Sequence, residues 1–302
     1  MTLAERLASA RARLAAAGIS SQEAANDAEL LARHALGWDR ARLVTSLRDP
    51  VPERLDPTYE SLIGRRATRE PASQIIGVRE FWGLDFEVGP DVLTPRPETE
   101  LIVQAAVDLW KTLSPSEHPV IVDVGTGSGC IAVALATELP QARFVASDAS
   151  AAALTIARRN AARHHVGDRI TFRHTHDIPP ESDVEMIVSN PPYIPAGARP
   201  SLPPEVRDHE PSVALFGGDD GFDFYRQLLN SSGDLVDGGW LIIEVGYGQA
   251  DAVRAVVAER RSLENHDHDW EAGASYVDLQ GIERVLTFRA VHEETIIEHE
   301  EP

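Results

Sequence analysis

Residues 188–195, Val-Ser-Asn-Pro-Pro-Tyr-Ile-Pro, hold groups that a plain turn has no use for. The apolar, β-branched run at 184–189 reads as a short buried strand that stops at Asn190. Neither Pro191 nor Pro192 can extend a helix or a central strand, because each lacks an N–H and has a fixed φ. The chain therefore leaves the strand in a stiff turn carrying the Asn190 side-chain oxygen, the Pro191 carbonyl and the flat ring of Tyr193.

Three further strand ends carry polar groups. Residues 120–130, V-I-V-D-V-G-T-G-S-G-C, run from an expected buried strand through Asp123 into Gly125, Thr126, Gly127, Ser128 and Gly129, then an apolar helix. Glycines let backbone approach a ligand, and a helix start presents free N–H groups. The dinucleotide fingerprint needs a last glycine where Cys130 stands, so the loop suits a nucleoside without a pyrophosphate; a purely structural glycine turn is the alternative. Asp148 ends the next strand, where a carboxylate accepts both hydroxyls of a ribose or caps the following helix. After the third strand, Asp177 and Ile178 either flank an adenine ring or form an ordinary loop.

The elements that position these groups alternate. Helices are expected at 98–111, 129–138, 151–165, 222–235 and 249–261. Strands are expected at 120–124, 143–147, 170–172, 184–189, 240–245, 275–278 and 284–288. This order implies a parallel sheet covered on both faces, with an antiparallel hairpin at one edge. Residues 2–69 read as all helix, the first ending at Gly18 and the second opening on a capping-box pair, Ser20 and Glu23. Short helices follow at 40–45 and 52–69. Around Gly77 and Gly83 the pattern changes to the alternation of a β-hairpin. The expected division is a helical bundle at 1–72, a hairpin connector at 73–92, an α/β body at 93–290 and an acidic tail at 291–302, frayed or disordered.

Charge narrows the partners. The formal net charge is −20, yet residues 1–75 hold eleven arginines against ten acids, so nearly all of the excess falls on the remainder. So acidic a body repels a phosphate backbone, which weighs against a nucleic-acid substrate. No apolar run approaches the length of a membrane span, and the N-terminus lacks the pattern of a signal peptide. A single cysteine, Cys130, excludes an internal disulfide and a cysteine-rich zinc site, so the expected compartment is the cytoplasm. The His/Asp run at 265–270 reads as a solvated loop, and no metal site is expected.

With these strand ends in this order, the chain resembles a class I S-adenosylmethionine-dependent methyltransferase, with a Rossmann-like, mostly parallel seven-stranded sheet. Asn-Pro-Pro-Tyr after the fourth strand marks the enzymes that methylate a planar, conjugated nitrogen, either the N6 amine of adenine in DNA or RNA or the side-chain amide of glutamine. The stretches at 79–88, 93–100, 123–129, 187–195, 209–229 and 241–249 resemble the protein-(glutamine-N5) methyltransferases of peptide chain release factors, the PrmC/HemK family. Its architecture is also a helical N-terminal domain joined by a β-hairpin. The resemblance implies that the methyl group goes to the glutamine of the Gly-Gly-Gln loop of class 1 release factors, leaving S-adenosyl-L-homocysteine. It assigns Gly125 to Gly129, Asp148 and Asn190 to the cofactor, and Asn190, Pro191, Pro192 and Tyr193 to the glutamine. It implies that Arg96 and Thr99 close over the methionine end of the cofactor, and that the N-terminal bundle holds the release factor. Where many relatives carry an aromatic residue after the acid at Asp177, this chain has Ile178.

Overall fold

A computed structural model describes residues 1–230, 235–260 and 269–291 of the chain. The expected acidic tail and most of the His/Asp run lie outside the described residues. In chain order the elements are α1 (Leu3–Ala16), α2 (Ser21–Leu36), α3 (Arg40–Thr45), α4 (Leu55–Ala67), α5 (Ala72–Ile76), β1 (Val78–Phe81), β2 (Leu84–Glu87), α6 (Glu100–Trp110), β3 (Val120–Val124) and α7 (Cys130–Glu138). There follow β4 (Arg143–Asp148), α8 (Ala151–Arg163), β5 (Ile170–His174), β6 (Val184–Ser189), α9 (Pro204–His209), α10 (Asp223–Asn230), β7 (Leu235–Glu244), α11 (Ala250–Arg260), β8 (Asp269–Val277) and β9 (Glu283–Val291).

Two compact units form. The first comprises Met1–Val78, Val88–Pro90 and Leu202–Glu210. Its helices start where the sequence supplies caps: Thr2 and Glu5 form a reciprocal capping box on α1, and the Ser20 hydroxyl accepts from the Glu23 N–H on α2. Leu3, Leu14, Leu31, Leu43, Leu55 and Ile63 fill the core, and the buried Tyr59 hydroxyl donates to the Ala28 carbonyl at 2.9 Å. Arg66, 1% exposed, donates to Asp27 (2.6 Å), Glu23 (2.8 Å) and Glu205 (3.0 Å). The last of these ties Leu202–Glu210 to the helices, a long-range link that a linear division of the sequence misses.

The second unit is built on a seven-stranded sheet of order β5-β4-β3-β6-β7-β9-β8. Strands β3 to β7 pair in parallel; β9 runs antiparallel to β7, and β8 antiparallel to β9. Apolar side chains of α6 and α7 pack on one layer (Ile102, Val103, Ile131, Leu135), and those of α10 and α11 on another (Tyr225, Leu228, Val253, Val257). The chain order reverses between β3 and β6, so their carboxyl ends flank the crevice where open α/β sheets bind ligands. Leu235, expected to end a helix, instead opens β7. Strand β8 spans Asp269–Val277, well beyond the four residues expected. It is a mostly exposed edge strand and so carries no apolar alternation.

Candidate active site

Strand β3 ends in the glycine loop. The Asp123 carboxylate, fully buried, accepts from the Thr126 hydroxyl (2.6 Å) and from the Ala132 N–H (3.2 Å), stapling the strand end to α7. Burial pushes this carboxyl up to about 7. Four of the loop's N–H donors turn inward. Gly125 and Thr126 both donate to the Ser147 carbonyl at 2.9 Å, Gly127 to Asp148 Oδ2 at 2.8 Å, and Gly129 to the Thr126 carbonyl at 2.8 Å. At these four positions the loop offers a ligand close approach rather than hydrogen-bond donors. Gly129 has φ of 81°, and a Cβ there would press on Ala157 at 3.1 Å. From below, buried Asn160 donates to the Ser128 and Glu87 carbonyls, locking loop, α8 and β2 together.

Asp148 lies at the end of β4. Its two oxygens accept from Gly127 and from Ser150, each at 2.8 Å, and each keeps a lone pair for a further donor. Burial raises its pKa. The helix cap that Asp148 could have supplied comes instead from the Ser150 hydroxyl, which accepts from Ala153.

A cleft of about 250 Å³ opens over these strand ends. Gly125, Thr126, Gly127, Ser128, Asp148 and Asn190 line it, joined by Pro192, Arg96 and Thr99. Val92, Leu93, Ile131 and Phe224 supply apolar wall, and His176 and Gln227 polar edge. Asp177 and Ile178 do not line this cleft. Asp177 accepts from Gln227 at 2.9 Å, and Ile178 is buried in the core beneath Phe224. Sequence reasoning missed Phe224 and Gln227, which lie on α10, 35 and 38 residues beyond the end of β6 at Ser189. Cys130 also reaches the cleft, but burial pushes its thiol up to about 12.

The turn after β6 is anchored at both ends. The Ser189 hydroxyl donates to the Val124 carbonyl at 2.7 Å. Ile194 donates to the Leu215 carbonyl, and Gly217 back to the Ile194 carbonyl, at 2.9 and 3.0 Å. Asn190 Nδ2 donates to Thr99 Oγ1 at 2.9 Å, whereas Asn190 Oδ1 is buried without a hydrogen-bond partner among the described residues. Tyr193 is not a wall of the cleft. Its ring lies against Gly246 and its hydroxyl, raised in pKa by burial, donates to Glu244 Oε1 at 3.4 Å. Pro191 is likewise buried outside the lining.

The set fits an adenosine-like ligand: a close glycine floor, a carboxylate with spare lone pairs, apolar walls, and an orphaned acceptor beyond them. Residues 103–200 match the methyltransferase small domain, and residues 5–77 the PrmC N-terminal domain. The catalytic domain of hMettl16, solved in complex with MAT2A 3'UTR hairpin 6, shares the fold at 16% identity. It gives a TM-score of 0.54 over 74% of this chain and 80% of its own. The protein is thus a methyltransferase of the class I fold.

Among curated proteins, the release factor glutamine methyltransferase of Geobacter sulfurreducens is 45% identical over 75% of this chain and 78% of its own. That of Cereibacter sphaeroides is 44% identical over 85% and 90%. The chain belongs to the release factor glutamine methyltransferase family. This membership does not favour the alternative of an adenine methyltransferase acting on DNA or RNA.

Proposed function

We propose that this protein transfers a methyl group from S-adenosylmethionine to the side-chain amide nitrogen of the glutamine in the Gly-Gly-Gln loop of class 1 peptide chain release factors. The observation that carries the reading is Asn190 Oδ1, a buried acceptor left without a partner at the edge of the cleft. Leaving such an oxygen unpaired costs the fold, so its retention points to a donor brought by a substrate.

When bound, S-adenosylmethionine supplies an electrophilic methyl group. Gly125, Thr126, Gly127, Ser128 and Asp148 would hold its nucleoside, with Asp148 as acceptor for the ribose and Gly129 packed on Ala157 outside the lining; His176, Phe224 and Gln227 are the candidates for the adenine side. An amide nitrogen is a poor nucleophile because its lone pair is delocalised. Asn190 Oδ1 accepts an N–H hydrogen, orients the nitrogen and favours the positive charge that develops on it, whereas the Pro191 carbonyl, outside the lining, is given no contact. The alkylated nitrogen then sheds a proton readily, so no general base is assigned. The helical unit at the N-terminus holds the release factor in this reading.

Labelled S-adenosylmethionine, offered with a release factor, its Gln→Ala loop variant and duplex DNA, tests the proposal. Label enters the release factor alone. Label on DNA, or equal label on the loop variant, overturns it.

A further inference from the structure

We infer that Glu244, acting through Thr99, is a positioning residue that fixes which end of the Asn190 side-chain amide faces the substrate. The inference rests on Asn190 Oδ1 being the acceptor for the glutamine amide, and deepens that reading.

Three separate segments meet here. Glu244 ends β7 and is 2% exposed; Thr99 closes the 3-10 turn Pro97–Thr99 before α6; Asn190 follows β6. Thr99 Oγ1 donates to Glu244 Oε2 at 2.6 Å, and Asn190 Nδ2 donates to Thr99 Oγ1 at 2.9 Å. An ionised carboxylate can only accept, so the single Thr99 proton is committed to it. Only lone pairs of Thr99 then remain, and they can be met only by the amino end of the Asn190 amide. Its oxygen is thereby turned away, and that oxygen is the buried one without a partner. The reversed amide would set two acceptors against each other at Thr99 and present N–H to the N–H of the substrate. The chain of bonds thus specifies a polarity that the shape of an amide, nearly symmetric in oxygen and nitrogen, cannot.

The carboxylate is the informative choice. A glutamine at 244 could either accept from Thr99 or donate to it, and would leave both amide orientations open. Protonation of Glu244 does the same, because the acid can donate to Thr99 and release the Thr99 proton toward Asn190 Oδ1. The groups facing Glu244 are Glu98 on the 3-10 turn, Arg284 on β9, Tyr193 after β6, Tyr225 on α10 and Cys130 on α7. Arg284 is itself paired to Asp278 at 2.8 Å. Burial outweighs these neighbours and pushes Glu244 up to about 7, so polarity is lost as pH falls through that value.

The test is release-factor methylation across pH 5.5 to 9 by the wild type, Thr99→Val, Thr99→Ser and Glu244→Gln, with melting temperature and S-adenosylhomocysteine affinity measured for each. Thr99→Val lowers kcat roughly tenfold to a hundredfold, less than the ~10²–10³ lost with a direct transition-state contact. Thr99→Ser, which keeps the hydroxyl, restores it. The wild-type rate falls on the acid side of about 7. Glu244→Gln behaves as the acid form throughout, with a lower kcat that lacks this acid limb. A Thr99→Val rate within about twofold of wild type, or an unchanged acid limb in Glu244→Gln, overturns the inference; the serine variant and the pH profile decide it even if the valine variant fails to fold. Failure of the wild type to label the release-factor glutamine would instead overturn the proposed function.

Discussion

Gly217 stands so close to Pro192 that a Cβ on the glycine would lie 2.3 Å from the Pro192 carbonyl oxygen. Gly221 repeats the relationship with the Tyr193 carbonyl at 2.5 Å. The loop before α10 is therefore the mould of the Asn-Pro-Pro-Tyr turn, pressed against it backbone to backbone. Two prolines make the turn stiff, and the glycines set where that stiffness points.

Gly217→Ala consequently displaces the turn rather than simply crowding it. Overpacking of this kind costs about 1–3 kcal/mol of stability. The larger effect falls on turnover, since misplacement of a reacting group by about 1 Å costs ~10²-fold. S-adenosylhomocysteine affinity changes little, because the loop at 125–129 and Asp148 lie on other strands. Calorimetry and steady-state methylation of the same preparation check this, and a turnover equal to wild type would contradict the mould.

Asn190 and Asp148 separate in the opposite sense. Asn190→Ala removes the orphaned acceptor and lowers kcat by ~10²–10³, while cofactor affinity falls only severalfold. Asp148→Ala strips the acceptor from Gly127 and Ser150 and weakens S-adenosylhomocysteine binding by roughly tenfold to a hundredfold, the loss of one or two charge-assisted hydrogen bonds. Titration calorimetry paired with single-turnover rates distinguishes the two. The assignments fail if both variants lose the same quantity.

How legible the site was depends on how local its information is. Strands β3 and β6 match their expected limits because each is a short, mostly apolar run rich in β-branched residues and bounded by breakers. The glycine loop, Asp148 and Asn190 stand out because each directly follows such a run. The start of β7 was hidden by Gly238 and Gly239, which break the apolar pattern inside the strand, and by the register shift of its partner between Val184 and Met186. Thr99 and Glu244 are common residue types, 145 positions apart, and only the parallel sheet brings them together. Of the two readings of Asp177 and Ile178, the ordinary loop is the one that agrees with their place outside the cleft. Both residues follow β5, but the side chains that turn into the cleft here, Gln227 and Phe224, come from α10.

Arg66→Ala destabilises the helical unit. Asp27, with a side chain 12% exposed, and Glu205, 15% exposed, lose the cation between them. Breaking a buried pair by removing one partner costs about 3–5 kcal/mol, because the remaining charges stay uncompensated. Urea denaturation followed by helical circular dichroism reads the loss. A shift below about 1 kcal/mol, the range of an exposed pair, would show that Arg66 is not a structural centre.

The cofactor-free protein loses stability as pH rises. Burial pushes Asp123 and Glu244 each up to about 7, from ordinary values of 3.8 and 4.5, and raises Asp148 as well. Between the ordinary carboxylate range and 7 the folded chain therefore holds more protons than the unfolded one. Stability falls with pH wherever the folded state binds more protons, so it declines across this window and levels off above it. Salt-bridged carboxylates with lowered values, such as Glu60 and Asp278, act the other way only below the ordinary range. The urea midpoint of the wild type drops between about pH 5 and pH 8, and Asp123→Asn and Glu244→Gln each flatten part of that slope. A midpoint that stays flat over the same interval would mean that both carboxyls are ionised in the folded chain throughout, and that their burial is offset by contacts stronger than those of Thr126, Ala132 and Thr99.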